Sequence, residues 1–472
     1  EHALASGLVH EVIDPILGRK RQAGPVAWLS SSAELASKGD HAPTPDQHRD
    51  IILESLAQKA VTTTSDISFS KDKQWLKGLK ILDMTNVIAG PTVAHTLGRF
   101  GAEVIKLYPV KPTYDPWNTI LIGLQVHQGK RSILVDIKSD KGEGVLHSLI
   151  RWADVITYNG PERQLEPLGI DLESLNAINP NVILLLLDAW GGPKKGPRSD
   201  YVGYDDLVQA STGIMARFGG SIKTPEEHAH LGTIDVLTGF AGAFAVATSL
   251  YKYRKTGETD VARASLAAAG QLLQIPFMYD YEGREPFNEP SGRHIKGSGP
   301  LYRCYNAVDE WFFMAAKDNS TDRLEGIEEL KGVSRVASND LKKFLSDHFK
   351  LREVRYWIDE LTKIDIGAVA LGSMAELREK YSSRTGIDSH ASGGSYQFTR
   401  FDDHPSGHRI DIVSPCSIRP RYASLAVMPP AEKYGKDTRE ILEELGYSDQ
   451  EITEMLDAGV VSESWSKQYL PD

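Results

Sequence analysis

From Leu79 onward, short apolar segments alternate with segments of helical periodicity, and this alternation constrains the chain most. LKILDMT reads as a strand; after the AGP turn, TVAHTLGRFGAE places Val93, Leu97 and Phe100 on one helical face; EVIKLY is the next strand. SILVDIK, KGEGVLHSLIRWA and DVITYN repeat the pattern, and DLESLNAI and NVILLLLDAW extend it. Strands that alternate with helices across short connections predict an α/β fold with a mostly parallel, doubly wound sheet.

The rest of the chain divides by composition. Residues 1–75 are polar in places and carry one helical stretch, 46–60; they read as an N-terminal arm or the tail of a preceding unit. RDIILESL near residue 50 echoes REILEEL near residue 440. Residues 76–280 are expected to form the first part of a large domain. Within it, 233–251 and 261–280 read as buried helices, and Pro91 suits the first position of its helix. Residues 281–300 read as a linker, 301–400 as a small domain that opens with the hairpin RCYNAVDEWFFMAAK, and 401–472 as a return to the large domain.

Bulk properties exclude several functions. A formal net charge of −11 argues against non-specific nucleic-acid binding, which needs a basic face. No run of 18 apolar residues implies a membrane span. Two cysteines, Cys304 and Cys416, cannot supply a disulfide framework or a cysteine zinc site. His228, His230, His404 and His408 lack a zinc-ligand spacing, so no metal is expected. Low cysteine use suits a reducing compartment, and a cytoplasmic location is the expectation.

Four segments could carry chemistry. The turn Thr85–Pro91 joins a strand end to a helix start, where phosphates bind in open α/β sheets; a plain crossover turn has the same signature. QGKRSILVDIK brings Lys130, Arg131 and Lys138 to one strand and its approach, as a phosphate site or a solvated basic edge. In LGTIDVLTG, Asp235 opens an apolar stretch; it either caps the helix expected to begin at Val236 or serves as a nucleophilic carboxylate. KGSGP, residues 296–300, is a Gly-containing loop before a strand or an ordinary turn.

In order and spacing these pieces resemble the family III CoA-transferases, the group of formyl-CoA transferase and carnitine CoA-transferase. The resemblance runs from Leu79 to about Val461 through LKGLKILDMTNVIAGP, GAEVIKL, QGKRSILVDIKSDKGEG, ADVITYN, LEPLGIDLESLNAINPNVI, GPRSDYVGYDDLVQASTG, TIDVLTG and YRKTGE. It implies a Rossmann-like large domain built from both ends of the chain, a smaller α+β domain, and an interlocked homodimer. It implies acyl-CoA and a carboxylic acid as substrates, with no permanently bound cofactor. Asp235, four residues before Gly239, matches the nucleophile. Val87, Ile88, Ala89, Lys106, Arg131, Ile137, Lys138 and Asn159 match the CoA site, and Gly297, Ser298 and Gly299 match a glycine loop less well. Pro167 replaces a family Arg, a loss that Arg163 could offset. Tyr204 stands where related racemases have a catalytic His, which disfavours α-methylacyl-CoA racemase activity. The resulting expectation is CoA transfer through Asp235; a CoA-linked lyase or α-methylacyl-CoA racemase on the same fold, or a non-catalytic CoA-ester-binding protein, are the rivals.

Overall fold

The computed structural model describes the chain apart from residues 59–73, 113–121, 228–231, 286–289, 377–378, 380–395, 416–417, 419–424, 468 and 470–472. His228 and His230 lie outside the described residues. The chain forms two units: residues 1–212, 229–285 and 385–472, and residues 213–228 and 286–384. The second therefore begins before the expected linker.

The N-terminal residues are not a loose arm. Strands β1 (Val9–Asp14) and β2 (Gly18–Ala23) form a hairpin, and β3 (Ala27–Leu29) joins the large sheet. Lys20 and Asp14 pair at 3.0 Å with both side chains buried, and Trp28 is buried. Helix α1 (Arg49–Gln58) instead exposes Ile51, Ile52, Leu53 and Leu56.

The large sheet of the first unit adds β4 (Lys80–Asp83), β5 (Glu103–Tyr108), β6 (Arg131–Val135), β7 (Val155–Tyr158), β8 (Ile183–Asp188), β9 (Val261–Ser265) and β17 (Val461–Ser462). Its described strands run in the order β17-β6-β5-β4-β7-β8-β9-β3. All neighbouring pairs from β6 to β9 are parallel, and the two edge strands are antiparallel. The apolar runs are buried on both faces, as a covered parallel sheet requires. Residues 261–265 are thus a strand rather than the start of a helix: VARAS pairs with β8 and only then turns into a helix.

Helices α2 (Ala89–Arg99), α3 (Asp140–Trp152), α4 (Leu172–Ile178), α5 (Asp205–Thr212), α6 (Thr233–Thr256) and α7 (Leu266–Leu273) connect or cover these strands. Ser139 caps α3, accepting from the Gly142 N–H at 3.2 Å, and the helix buries Val145, Leu146, Leu149 and Ile150. α6 is long and apolar enough by composition to cross a membrane, yet it packs on α2 inside the unit. A Cβ on Gly239 would lie 2.6 Å from the Thr92 Cβ, and one on Gly242 would lie 2.8 Å from Val93 Cγ2. Only glycine lets these helices come so close.

β10 (Asp280–Tyr281) pairs with β2, and β15 (Tyr396–Phe401) pairs with β16 (Ile410–Pro415). α10 (Thr438–Glu444), following α8 (Ser338–His348) and α9 (Val354–Lys363) of the second unit, buries Ile441 and Leu442 in the first unit's core. The second unit has a described antiparallel sheet, β11 (Gly297–Gly299)–β12 (Tyr302–Asn306)–β13 (Trp311–Ala315)–β14 (Gly367–Ala370). Its core centres on Phe312, Phe349 and Trp357.

Candidate active site

The chain leaves the C-terminal end of β4 through a tightly held turn. The Thr85 N–H donates to Asp83 Oδ1 at 3.0 Å. A Cβ at Gly90 would lie 2.2 Å from the Thr85 Cβ, so the Gly of AGP is sterically required. The helix starts at Ala89, placing Pro91 in its first turn but not at its first position. Val87 has φ 66°, an outlier for a β-branched residue. Such strain costs of order 1–3 kcal/mol and persists only where the surroundings fix it. Asn159, just beyond β7, supplies that fixing: its Nδ2 donates to the Asn86 carbonyl at 2.8 Å, and its Oδ1 accepts from the Asn86 N–H at 2.9 Å.

A cavity of about 230 Å³ opens above this turn, lined by Val87, Ile88, Ala89, Asn159, Asp188, Tyr204 and Asp235 among others. Asp235 sits in the first turn of α6, which begins at Thr233. The side chain does not cap that helix. Its own backbone N–H donates to Asp205 Oδ2 at 2.9 Å, so Asp205, from α5, does the capping. Gln209 Nε2 donates to the other Asp205 oxygen. Burial, and then the charges of Asp205 and Asp206, push the Asp235 carboxyl up to about 7.

Asp188 was not singled out by the sequence. It ends β8 in the same cavity, and burial raises its carboxyl to about 7 even though the Gly191 N–H donates to it. The missed signal was an ionisable residue closing the strand LLLLD, at the end of the sheet where ligands bind.

Of the residues matched to the CoA site, Lys106 and Arg131 are paired with carboxylates, as is the neighbouring Lys130. Lys106 is 1% exposed; its Nζ donates to Asp83 Oδ1 at 3.3 Å and to the carbonyls of Asp83 and Thr85. Lys130 Nζ donates to Asp83 Oδ2 at 2.8 Å and to the Pro91 carbonyl at 2.8 Å. Both lysines hold the turn from beneath. The Arg131 guanidinium donates to Glu444 at 2.7 and 2.8 Å and to Glu103 at 2.7 Å, at the far end of β5. β6 ends at Val135, so Ile137 and the exposed Lys138 lie in the turn that follows, and neither lines the cavity. Gly297, Ser298 and Gly299 form an edge strand, not a loop; a Cβ on Gly297 would lie 2.2 Å from the Tyr302 carbonyl oxygen. Arg163 donates to the Asp200 carbonyl at 2.6 Å. Among the described residues no cluster of His, Cys, Asp and Glu could hold a metal.

Residues 76–402 match CoA-transferase family III. The chain belongs to that family. Within family III, it is 42% identical to the CoA-transferase/lyase DddD of Marinomonas sp. (strain MWYL1), over 100% of this chain and 56% of that protein. It therefore spans little more than half of that relative's length. It is 26% identical to the human succinyl-CoA:glutarate CoA-transferase, over 82% of this chain and 90% of that one. A CAIB/BAIF family protein from Brucella suis has the same fold, with a TM-score of 0.60 at 22% identity over 78% of this chain and 99% of that one.

Proposed function

We propose that this chain transfers CoA between carboxylic acids, with Asp235 as the covalent carrier. The observation that carries the reading is the Asp235 carboxyl lining one cavity with Val87, Ile88, Ala89 and Asn159. The turn and the start of α2 offer backbone N–H groups and a partial positive charge to an anionic ligand.

The Asp235 carboxylate attacks the donor thioester carbonyl, expelling CoA thiolate and leaving a mixed anhydride. The thiolate then attacks the aspartyl carbonyl, and the donor acid departs as its carboxylate. The aspartyl–CoA thioester passes CoA to an acceptor acid by the same two steps reversed. Splitting the exchange in this way replaces one hard step by several easier ones. A carboxyl near 7 is a stronger nucleophile once ionised than an ordinary aspartate, and it is substantially ionised at neutral pH. Two such chains interlocking as a homodimer is part of the same reading.

Mass spectrometry after incubation with a panel of acyl-CoAs tests it: a CoA adduct on the Asp235 peptide is expected. Full transferase activity in Asp235→Ala rejects it.

A second reading is a CoA-linked lyase, favoured by the likeness to the Marinomonas CoA-transferase/lyase and by Asp188. A carboxyl held at about 7 in the same cavity is suited to take a proton from a substrate carbon. Deuterium uptake at the α-carbon without an acceptor acid, abolished by Asp188→Asn, would separate the lyase from the transferase.

A further inference from the structure

A second cavity, of about 280 Å³, lies beside the first and has no role in the steps above. Ile88, Thr92, His95 and Thr96 of the α2 segment form one wall, and Val236 and Phe240 of α6 form another. Ile88 lines both cavities. A Cβ built on Gly232 would stand 2.8 Å from Ile88 Cδ1 and 3.2 Å from Asp235 Oδ2, so the partition between the cavities adjoins the carboxylate.

We infer that this second cavity is an acyl subsite, which takes the aliphatic chain of a thioester whose carbonyl sits at Asp235. The inference rests on the CoA-transferase reading and names its substrate class. Ile88, Val236 and Phe240 give the wall an apolar surface against which methylenes lose water. His95 is buried, and burial, Lys130 and Arg99 push its imidazole down to about 3, so it stays neutral. Its Nδ1 has no hydrogen-bond partner among the described residues. Arg99, one turn beyond, brings a charged side chain to that end and sets a limit on chain length. From Ile88 to His95 the helix rises about 10 Å, the span of a hexanoyl to octanoyl group.

Calorimetry with acetyl-, butyryl-, hexanoyl- and decanoyl-CoA tests the subsite. Affinity should rise about fourfold per buried methylene up to hexanoyl and stop rising before decanoyl. Thr96→Trp fills the cavity and should bring the hexanoyl-to-acetyl affinity ratio close to one. Phe240→Ala enlarges it and should move the optimum to longer chains, which keeps the test open if Thr96→Trp does not fold. Equal affinity for all chain lengths in the unaltered chain overturns the inference, as does an unchanged ratio in a folded Thr96→Trp or an unmoved optimum in Phe240→Ala. Because the readout is binding, it is separate from the chemistry: normal chain-length selectivity without an Asp235 adduct rejects the transferase reading and keeps the subsite.

Discussion

Asp83 and Asp235 are two carboxylates of one unit, both beside the same turn, with opposite electrostatic fates. Burial alone would raise both. At Asp83, Lys106 and Lys130 more than offset it, and the carboxyl is held far below the usual range. At Asp235 the nearby charges are Asp205 and Asp206, so burial and repulsion add and the carboxyl rises to about 7. The two lysines share one carboxylate, and burial lowers both ammoniums, Lys106 to about 8. Charge saturated with partners builds the turn, and charge left without a cation is available to react.

The sharpest way to break this contrast is to remove each carboxylate. Asp235→Ala should lower CoA transfer by on the order of 10⁴-fold or more, read by steady-state kinetics, with thermal unfolding still cooperative. Asp83→Asn should instead lower stability by about 3–5 kcal/mol in urea denaturation, because two buried ammoniums lose their counter-charge. A mild stability loss there would show that the cluster is not structural.

Titration sharpens the comparison further. The Asp235 carboxyl lies above its unfolded value, so its contribution to stability is present below about pH 4 and lost as pH rises through about 7. Asp235→Asn should therefore gain stability relative to the unaltered chain across that window in pH-dependent melts. Loading of Asp235 should rise with pH, with a midpoint near 7. Asp205→Asn removes a like charge and should move that midpoint down; an unmoved midpoint would leave burial and Asp206 as the cause. The smallest effect is expected at Val87, whose strained φ only glycine adopts freely. Val87→Gly should relieve strain and loosen the turn, raising KM for the thioester a few-fold with kcat little changed.

Much of the fold was legible because its signals are local. Alternating apolar segments between 79 and 188 are a period-2 and period-3.6 pattern that any window shows. The strand at 261–265 is not legible in sequence, because the five residues VARAS before an apolar helix carry no period of their own; pairing with β8 decides it. The candidate site was legible only in part. The turn and Asn159 do meet Asp235 at one cavity, whereas Lys106 and Arg131 look like ligand contacts in sequence and turn out to hold Asp83, Glu103 and Glu444. A lysine's formal charge says nothing about which carboxylate lies within 4 Å.

The sequence by itself determined the parallel α/β architecture, a strand-to-helix turn at Thr85–Pro91, and the placement of an acidic residue at the head of an apolar helix. These follow from side-chain period, backbone sterics and burial preference, which act over a few neighbouring residues. Tertiary structure alone decided that Asp205 caps that helix, that Asp188 shares the cavity, that residues 9–29 join the sheets, and that Asp235 rather than Asp83 lacks a cation. Those outcomes depend on distances between residues tens to hundreds of positions apart, and Coulomb energy and desolvation are set by such distances, not by order along the chain.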